Sequence, residues 1–504
     1  MIAVVSLQEI ERFRSIIAQR LGLWFDDGKL EYLAQILERR IAATGDAATL
    51  YLTRLDAAVK SHPEHRAIAQ ELTVGETYFF RHMDQFRAFA EVALPARAEA
   101  RGTVKQLQFL SAGCSSGEEA YSLSILTGKH LPAAADWDVA IRGIDVNPLA
   151  LQRARLARYS SWALRETPEE FQRRYFIADG REYALAEAIR DAVSFEEENL
   201  VADEQWGPET FDVIFCRNVL MYFTPENAQR VVARFARALA PGGYLFLGHA
   251  ENLRGLSADF ELCHTHSTFY YRRKDALRRL PTPPEPTAPI NVEPSTLPLD
   301  WTSIWLETVQ RSSDRIRALT AKSSEPAPRT PTAASAAVLD LSLALELLAH
   351  EKFAEALEVL HRLPPSLARD ADAVLLRAAL LTHSDRLEAA ELACAELLAV
   401  DGLNAGAHYL RALCRERQGD IRAAIESAQA ATYLEPAFAM PHLHLGLMAR
   451  RMGDRATAQR ELSQAALLLL REDPARLLLF GGGFNREGLV ALCRSELDRL
   501  GGAA

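Results

Sequence analysis

Residues 106–119, QLQFLSAGCSSGEE, decide the fold of this 504-residue chain. The first half is a short apolar run typical of a buried strand, and the second half is a turn of small residues that contains Gly113 and Gly117. Glycine lets a backbone turn tightly and pass close to a ligand. A helical pattern, SLSILTGKHL, follows at residues 122–131. A strand, a glycine turn and a helix in this order form the unit of a doubly wound α/β sheet.

The same alternation continues towards the C-terminus. VAIRGIDVNP at 139–148 reads as a strand and LALQRARLARY at 149–159 as a helix. FDVIFCRNVLMYF at 211–223 and PGGYLFLGHAEN at 241–252 supply further strands, and a helical segment lies between them. We therefore predict a doubly wound, Rossmann-like domain over residues 73–275.

The flanking regions have helical patterns. Apolar residues recur three and four positions apart in LEYLAQILERRIA at 30–42, which predicts an all-helical domain over residues 1–72. Residues 276–336 are rich in proline and predict an extended linker. Within it, WTSIWLETVQRSSDRIRAL at 301–319, which contains Trp301 and Trp305, can form one amphipathic helix.

A 34-residue period runs through residues 337–472, and the tetratricopeptide repeat (TPR) has this length. Small residues mark two registers of the period, because paired helices approach closely only where side chains are small. The two registers are Ala344, Ala378, Ala412 and Gly446, and Ala356, Ala390, Ala424 and Ala458. We predict four degenerate repeats, followed by a capping helix and tail over 473–504.

Composition excludes several classes of function. The net charge of −10 argues against a nucleic-acid partner, since phosphate binding needs clustered lysine and arginine. The six cysteines are scattered without a CxxC pair, and we find no signal peptide and no bilayer-spanning stretch. We therefore expect a cytoplasmic protein without membrane insertion. CHTH at 263–266 is not expected to bind metal, because strand alternation separates Cys263 from the histidines.

Polar residues follow the predicted strands. Glu119 can meet a cationic amino group, Asp145 can accept both hydroxyls of a ribose, and Asn199 can read an adenine edge. Each has a structural alternative: an ordinary turn, a helix N-cap and a polar loop residue. Arg217 and Asn218 end a buried strand, where they are costly without partners and so suggest a ligand cleft.

Upstream, LTVGETYFFR at 72–81 places Arg81 beside two phenylalanines; a helix-end salt bridge is the alternative interpretation. Taken in order and spacing, LTVGETYFFR, SAGCSSGEEAYS, GIDVN, EENL, FCRNVLMYF and GGYLFLGHAEN resemble the CheR family of protein-glutamate O-methyltransferases. The resemblance covers roughly residues 8–272. With the C-terminal repeats, it points to the subgroup found in Wsp-type surface-sensing systems.

The resemblance implies a reaction. A methyl group passes from S-adenosyl-L-methionine to glutamate side chains of a chemoreceptor-like protein, and S-adenosyl-L-homocysteine remains. Arg81 and Tyr222 would be catalytic, and a basic helical face with Arg39, Arg40, Arg54 and Lys60 would dock the receptor. The cofactor pocket would be lined by Thr77, Arg81, Gly113, Glu119, Asp145, Asn199, Leu200, Cys216, Arg217 and Asn218.

Two departures limit the resemblance. Gly75 replaces the asparagine that the family often has two positions before the threonine. The stretch between RRYF at 173–176 and EENL at 197–200 is also shorter, so we do not expect this region to grip a tethering peptide. Two rivals remain: a non-catalytic TPR scaffold with a vestigial methyltransferase fold, and a methyltransferase for another substrate. Concave helical surfaces bind peptides or helices, so we expect a protein or peptide at the TPR array. The receptor, another pathway component and the chain itself, as an autoinhibitory lid, are the candidates.

Overall fold

The computed structural model describes residues 5–58, 62–73, 75–202, 206–274 and 333–501, with the side chains of the last range described from 341. The chain divides into two compact units, Met1–Pro281 and Thr282–Ala504. Within the described part of the chain, every helix is too short or too polar to span a bilayer.

The first unit opens with the helical domain that the periodicity predicts. Its helices are α1 (Leu7–Arg20), α2 (Leu30–Thr44), α3 (Ala48–Ala57) and α4 (Pro63–Leu72). Ser6 and Glu9 form a capping box that starts α1, and Gly45 ends α2 in the left-handed conformation. The apolar faces bury Phe13, Leu33 and Ile36 completely. The prediction of an N-terminal helical domain is confirmed.

One long helical segment leads from this domain to the sheet. It consists of α5 (Met83–Ala88), a π-helical turn (Phe89–Ala93) and α6 (Leu94–Ala100). Phe86 and Phe89 are buried against Phe215 of the sheet. The segment therefore fixes the position of the LTVGETYFFR motif, which immediately precedes it.

The sheets and their flanking helices alternate along the chain as predicted. The strands are β1 (Gln106–Ala112), β2 (Asp138–Asp145), β3 (Arg158–Ser160), β4 (Phe176–Asp179), β5 (Glu182–Leu185), β6 (Val193–Glu197), β7 (Phe211–Cys216), β8 (Leu239–Leu247), β9 (Phe260–Thr265) and β10 (Thr268–Arg273). The helices are α7 (Glu118–His130), α8 (Pro148–Leu156), α9 (Glu169–Tyr175), α10 (Glu187–Arg190) and α11 (Pro225–Ala238).

Seven strands form the main sheet in the order β6-β2-β1-β7-β8-β10-β9. The first five strands run parallel, β10 is antiparallel to β8, and β9 is antiparallel to β10. The direction in which strands are added reverses between β1 and β7. Open α/β sheets bind ligands at such a switch point, outside the carboxyl ends of the strands.

A small antiparallel sheet, β3-β5-β4, branches from the main domain. It spans the region between 158 and 185, which includes the start of the stretch that the sequence marks as short. Phe79 of the LTVGETYFFR motif packs edge to face on Tyr159 of β3 and on Phe176 of β4. The small sheet thus supports the motif through these two ring contacts.

The second unit is a stack of helix pairs. They are α12 (Ala333–Ala349) with α13 (Phe353–His361), α15 (Ala371–His383) with α16 (Leu387–Val400), α17 (Ala405–Arg417) with α18 (Ile421–Leu434), and α19 (Ala439–Arg451) with α20 (Arg455–Leu469). The short α14 (Pro365–Ala368) precedes α15, while α21 (Pro474–Phe480) and α22 (Arg486–Gly501) follow the last pair. The second helices of the last three pairs begin at 387, 421 and 455, at intervals equal to the predicted period.

The small residues of both registers lie where the helices meet. Ala378, Ala412 and Ala424 are fully buried, and a methyl group on Gly446 would lie 2.6 Å from Leu462. The TPR prediction is confirmed for the fold, with two differences. Helix α12 begins at Ala333, before the predicted repeat boundary at 337, and α21 is an extra helix before the cap. Trp301, Trp305 and most of the predicted linker lie outside the described residues.

Candidate active site

The turn after β1 forms the floor of the site. Gly113 has φ +76°, and a side chain there would lie 2.5 Å from Val219. Ser115 also has a positive φ of 50°. This backbone conformation is costly for a residue other than glycine, and such strain is concentrated at ligand sites. The predicted glycine turn therefore has a steric basis: Gly113 has no room for a side chain, and Ser115 is held in a strained conformation.

Asp145, at the end of β2, holds this turn. One carboxylate oxygen accepts a hydrogen bond from the Ser115 amide at 2.9 Å, and the other accepts one from the Asn147 amide at 2.8 Å. Burial raises the pKa of Asp145. The alternative role of helix N-cap belongs to Asn147, whose side chain caps α8. Asp145 therefore keeps acceptor capacity on each oxygen for a ligand.

A buried ion pair joins two of the predicted motifs. The Arg217 guanidinium lies 3.4 Å from Glu119, which also accepts a hydrogen bond from the Ser111 hydroxyl at 2.7 Å. Burial lowers the pKa of Arg217 and raises that of Glu119, and each partner opposes the shift of the other. Glu119 and Arg217 thus form one electrostatic unit between β1 and β7.

Arg81 reaches the same unit through its backbone. Arg217 donates a hydrogen bond to the Arg81 carbonyl. Phe80 and His82, on either side of Arg81, have positive φ angles of 56° and 60°. The Phe80 amide donates to the Ser122 hydroxyl at 3.1 Å, and its ring is fully buried. The main chain is therefore bent and anchored around Arg81.

The Arg81 side chain uses only part of its hydrogen-bonding capacity within the protein. Its Nη1 donates to the Glu76 carbonyl at 3.2 Å, while Nε is buried without a hydrogen-bond partner. Among the described residues no carboxylate forms an ion pair with it, so the salt-bridge interpretation does not explain this arginine. Its charge acts on Glu119 and on His82. A guanidinium with free donors at this edge can bind a planar anion.

Two histidines that the sequence analysis did not single out line the same region. The rings of His82 and His249 meet edge to face at 4.2 Å. Burial, His249, Arg217 and Arg81 together lower the pKa of His82 to about 4. Burial and the two arginines also lower the pKa of His249. Both rings are therefore neutral near pH 7, where the arginines provide the positive charge.

Glu251, also missed, organises the loop after β7. Its Oε1 accepts hydrogen bonds from the Val219 amide at 2.8 Å and the Met221 amide at 3.2 Å. Its Oε2 accepts from the Asn218 amide at 2.7 Å and the Gly248 amide at 2.7 Å. Glu251 belongs to the GHAEN motif, which the sequence marks as part of the resemblance. Its role as an acceptor for main-chain amides leaves no pattern of side chains in the sequence from which it could be predicted.

The loop that Glu251 holds contains two predicted residues. Asn218 has φ 58°, and its side-chain oxygen is buried without a hydrogen-bond partner. Tyr222 lies in a 3-10 turn (Leu220–Tyr222) and is 43% exposed. The tyrosine ring is thus accessible from solvent, and the amide oxygen of Asn218 is available to a ligand.

The helical domain is bonded to the wall of the site. The Trp24 amide donates to the Tyr222 carbonyl at 2.7 Å, and Leu23 forms an antiparallel bridge with Phe223. The Asn199 side chain donates to the Arg20 carbonyl at 2.8 Å and accepts from the Val201 amide at 3.1 Å. The structure therefore places Asn199 between the two domains, and its predicted contact with adenine stays a prediction.

The remaining cofactor residues differ in their surroundings. Leu200 and Cys216 are buried, and burial raises the pKa of the Cys216 thiol, so it is not a nucleophile near neutral pH. Thr77 is partly exposed beside the anchored phenylalanines. The roles of these three residues towards the cofactor stay predictions.

Of the predicted docking residues, Arg40 has a structural role. It pairs with both oxygens of Glu64 at 2.7 and 2.9 Å, within the helical domain. Arg39 and Arg54 pair with Glu71 and Asp46 but remain more than half exposed. Lys60 lies outside the described residues. Only Arg39 and Arg54 are thus available to a partner among the described members of this set.

The polar groups of the site fit S-adenosylmethionine. The buried, unpartnered Ser115 hydroxyl, the free acceptor capacity of Asp145 and the largely buried Glu119 suit a ligand that carries hydroxyls and an amino group. A side chain at Gly113 would collide with Val219, so the turn requires glycine at this position. Asp145 would hold the ribose and Glu119 the cationic amino group.

We expect Glu251→Gln to damage the loop after β7. The amide nitrogen of glutamine would face two main-chain N–H donors in place of a carboxylate oxygen, which costs about 1–3 kcal/mol. Urea unfolding should show this loss, and calorimetry should show weaker S-adenosylmethionine binding. The exposed Glu226→Gln is the matched control. Wild-type stability and affinity in Glu251→Gln would contradict this role.

Comparisons with known proteins agree with this geometry. A family model described as the CheR methyltransferase SAM-binding domain matches residues 75–269. Chemotaxis protein methyltransferase 2 of Vibrio cholerae is 33% identical over 276 residues, which cover 53% of this chain and 94% of the relative. The chemotaxis protein methyltransferase of Salmonella typhimurium is 33% identical over 269 residues, or 52% of this chain and 90% of the relative.

A third relative extends through the helical repeats. The probable biofilm formation methyltransferase WspC of Pseudomonas putida is 28% identical over 461 residues, which cover 90% of this chain and 97% of the relative. The predicted resemblance and cofactor are confirmed. The chain belongs to the CheR family of methyltransferases, and its cofactor is S-adenosylmethionine.

Proposed function

We propose that the protein methylates glutamate side-chain carboxylates of a chemoreceptor-like signalling protein and so forms methyl esters. The names of the relatives from Vibrio cholerae and Salmonella typhimurium refer to chemotaxis, which supports a receptor as substrate. The Pseudomonas putida relative, whose match covers 90% of this chain, is named for biofilm formation, which supports a receptor of a surface-sensing pathway. We propose a class of substrate, glutamate carboxylates on a chemoreceptor-like protein, and not a particular receptor.

The observation that carries the proposal is the state of Arg81. Its guanidinium has free donors, no ion-pair partner among the described residues, and a main chain fixed by Arg217. A planar fork of N–H donors matches a carboxylate better than it matches a hydroxyl or an amine. The substrate group that fits this position is therefore a carboxylate.

The chemistry needs no general base. A glutamate side chain has a pKa of about 4.3 and is already an anion near pH 7. Bound S-adenosylmethionine supplies a methyl carbon on a sulfonium, so that a carbon–oxygen bond forms as the carbon–sulfur bond breaks. Among its described residues the site accordingly offers neutral histidines and a protonated Cys216 thiol, and none of these is an activated nucleophile.

The residues of this chain position and shield the reactants. Arg81 would orient the substrate oxygen, while Glu119 and Asp145 fix the opposite partner at the carboxyl ends of β1 and β2. Tyr222, on the loop held by Glu251, would line the approach. Because catalysis rests on alignment and the exclusion of water, small displacements of this loop should lower the rate strongly.

The charge of the product explains how methylation can change the signalling state of a receptor. An ester is neutral where a carboxylate was charged, so methylation removes like-charge repulsion on the surface of a receptor helix bundle. If the two states of a receptor differ in this repulsion, methylation shifts the equilibrium towards the state in which the repulsion is stronger. Arg39 and Arg54, exposed on α2 and α3, would face the acidic receptor surface.

We expect Arg81→Ala to lose at least about 100-fold in turnover, since an oriented charge contact worth roughly 3 kcal/mol is removed. Tritiated methyl donor and a receptor fragment are incubated, and base-labile methanol is counted. Calorimetry should show near wild-type affinity for S-adenosylmethionine. Arg87→Ala, in the exposed face of the adjoining α5, should behave as wild type. Normal turnover in Arg81→Ala would overturn the assignment.

We expect the double reversal of Arg39→Glu and Arg54→Glu to raise the KM for receptor several-fold without a change in kcat. Docking charges at an interface rim act mainly on association, and the effect should shrink as salt is added. Lys352→Glu with Arg460→Glu, both exposed in the second unit, changes the net charge equally and is the control. An equal rise in KM for both pairs would contradict docking through α2 and α3.

A further inference from the structure

Helix α21 lies across the first helices of the repeat stack. It contacts α12 and α15, the first helices of the first two pairs. The ring of its Phe480 also reaches Tyr409 and the position of Gly406 in α17, the first helix of the third pair. Stacked helix pairs form an extended concave surface that such proteins use for binding. Helix α21 thus covers part of the surface that these first helices form.

Aromatic packing anchors the C-terminal end of α21. Phe480 is 5.9 Å from the Tyr409 ring and 5.1 Å from the Phe438 ring, and all three are buried. His383 donates a hydrogen bond from Nε2 to the Leu479 carbonyl at 2.9 Å. The stack therefore contains an aromatic pocket and a polar edge, and α21 occupies both.

A buried ion pair anchors the N-terminal end. Arg476 lies 2.6 Å from Glu435 and 3.3 Å from Glu472, and its guanidinium lies over the Phe438 ring at 4.1 Å. A buried pair of this kind discriminates strongly against occupants that lack the cation, because a buried carboxylate without a partner is costly. Arg476, Leu477 and Phe480 share one face of α21, as the spacing of three and four residues requires.

The position of α21 in the chain suggests a ligand and not a repeat. It begins at Pro474, close to where the 34-residue period would place a further first helix, but it is only seven residues long and contacts α12 and α15 of the first two pairs. The role of closing the stack belongs to α22, whose Glu496 pairs with Arg450 at 2.6 Å. Five residues, GGGFN at 481–485, separate α21 from α22, and the first three are glycines. Gly482 and Gly483 adopt positive φ, and Gly482 has no neighbour that a side chain would meet.

We propose that α21 is an exchangeable, built-in ligand of the TPR groove. The natural occupant is a partner protein that presents a short helix with an arginine and, four residues later, an aromatic residue. The partner's arginine would bind Glu435 and Glu472, and its aromatic ring would enter the pocket of Tyr409 and Phe438. A tethered ligand competes at a high effective concentration, so the groove stays closed until the partner is abundant or α21 is weakened. This inference does not depend on the methylated substrate.

The test is binding in trans of a labelled peptide, EDPARLLLFGGGFN, which is residues 472–485. Fluorescence anisotropy is measured with the full chain as wild type and as Phe480→Ala and Leu477→Ala, which weaken the resident helix and leave the groove intact. Phe484→Ala is the matched control, because its ring is 61% exposed. We expect the two groove-releasing variants to bind the peptide at least about tenfold tighter than wild type and Phe484→Ala. A peptide with Phe480→Ala should not bind.

Circular dichroism separates exchange from simple unfolding. Equal affinity of wild type and of a variant that keeps wild-type helicity would overturn the proposal. Loss of repeat helicity in both Phe480→Ala and Leu477→Ala would also overturn it, since α21 would then be an integral part of the fold. If only one of the two variants keeps wild-type helicity, the affinity of that variant for the peptide decides whether the proposal stands. Binding of the Phe480→Ala peptide as strongly as the native peptide would contradict the aromatic pocket.

Discussion

The site depends on the buried guanidinium of Arg217. It joins Glu119, after the first strand, to the main chain of Arg81, which lies before the sheet begins. Removal of one member of a buried pair costs about 3–5 kcal/mol, because the other charge is left without a partner. Three motifs that are far apart in the sequence are therefore fixed relative to one another by one side chain. The free donors of Arg81 are oriented as a consequence of this contact.

The helical domain takes part in the same construction. Hydrogen bonds from Trp24 to Tyr222 and from Asn199 to Arg20 connect the end of α1 to the loops after β7 and β6. A surface that would dock the substrate and a wall that would line the reaction site thus belong to one packed unit. In this unit Arg40 stabilises the domain through Glu64, and the exposed Arg39 and Arg54 are left for a partner.

The sequence predicted the features that repeat or alternate. Glycine spacing gave the turn after β1, and the 34-residue register gave the helix pairs, since both depend on local sterics. It did not predict Glu251, because the carboxylate binds main-chain amides that carry no side-chain signature. The His82 and His249 pair was missed because the two residues are close only in the folded chain. Helix α21 was merged into the C-terminal tail, since seven residues are too few for a clear period.

The most direct test of the central claim is the pH dependence of ester formation at saturating cofactor, measured as initial rates of base-labile methanol release. Burial and the neighbouring charges keep His82 neutral above its pKa of about 4, and the substrate carboxylate is already ionised. The rate should therefore be flat between about pH 6 and 9 and fall only under more acidic conditions, where carboxylates become protonated. A rate that rises with a pKa near 7 would show that a general base is required and would contradict orientation by Arg81 as the source of catalysis.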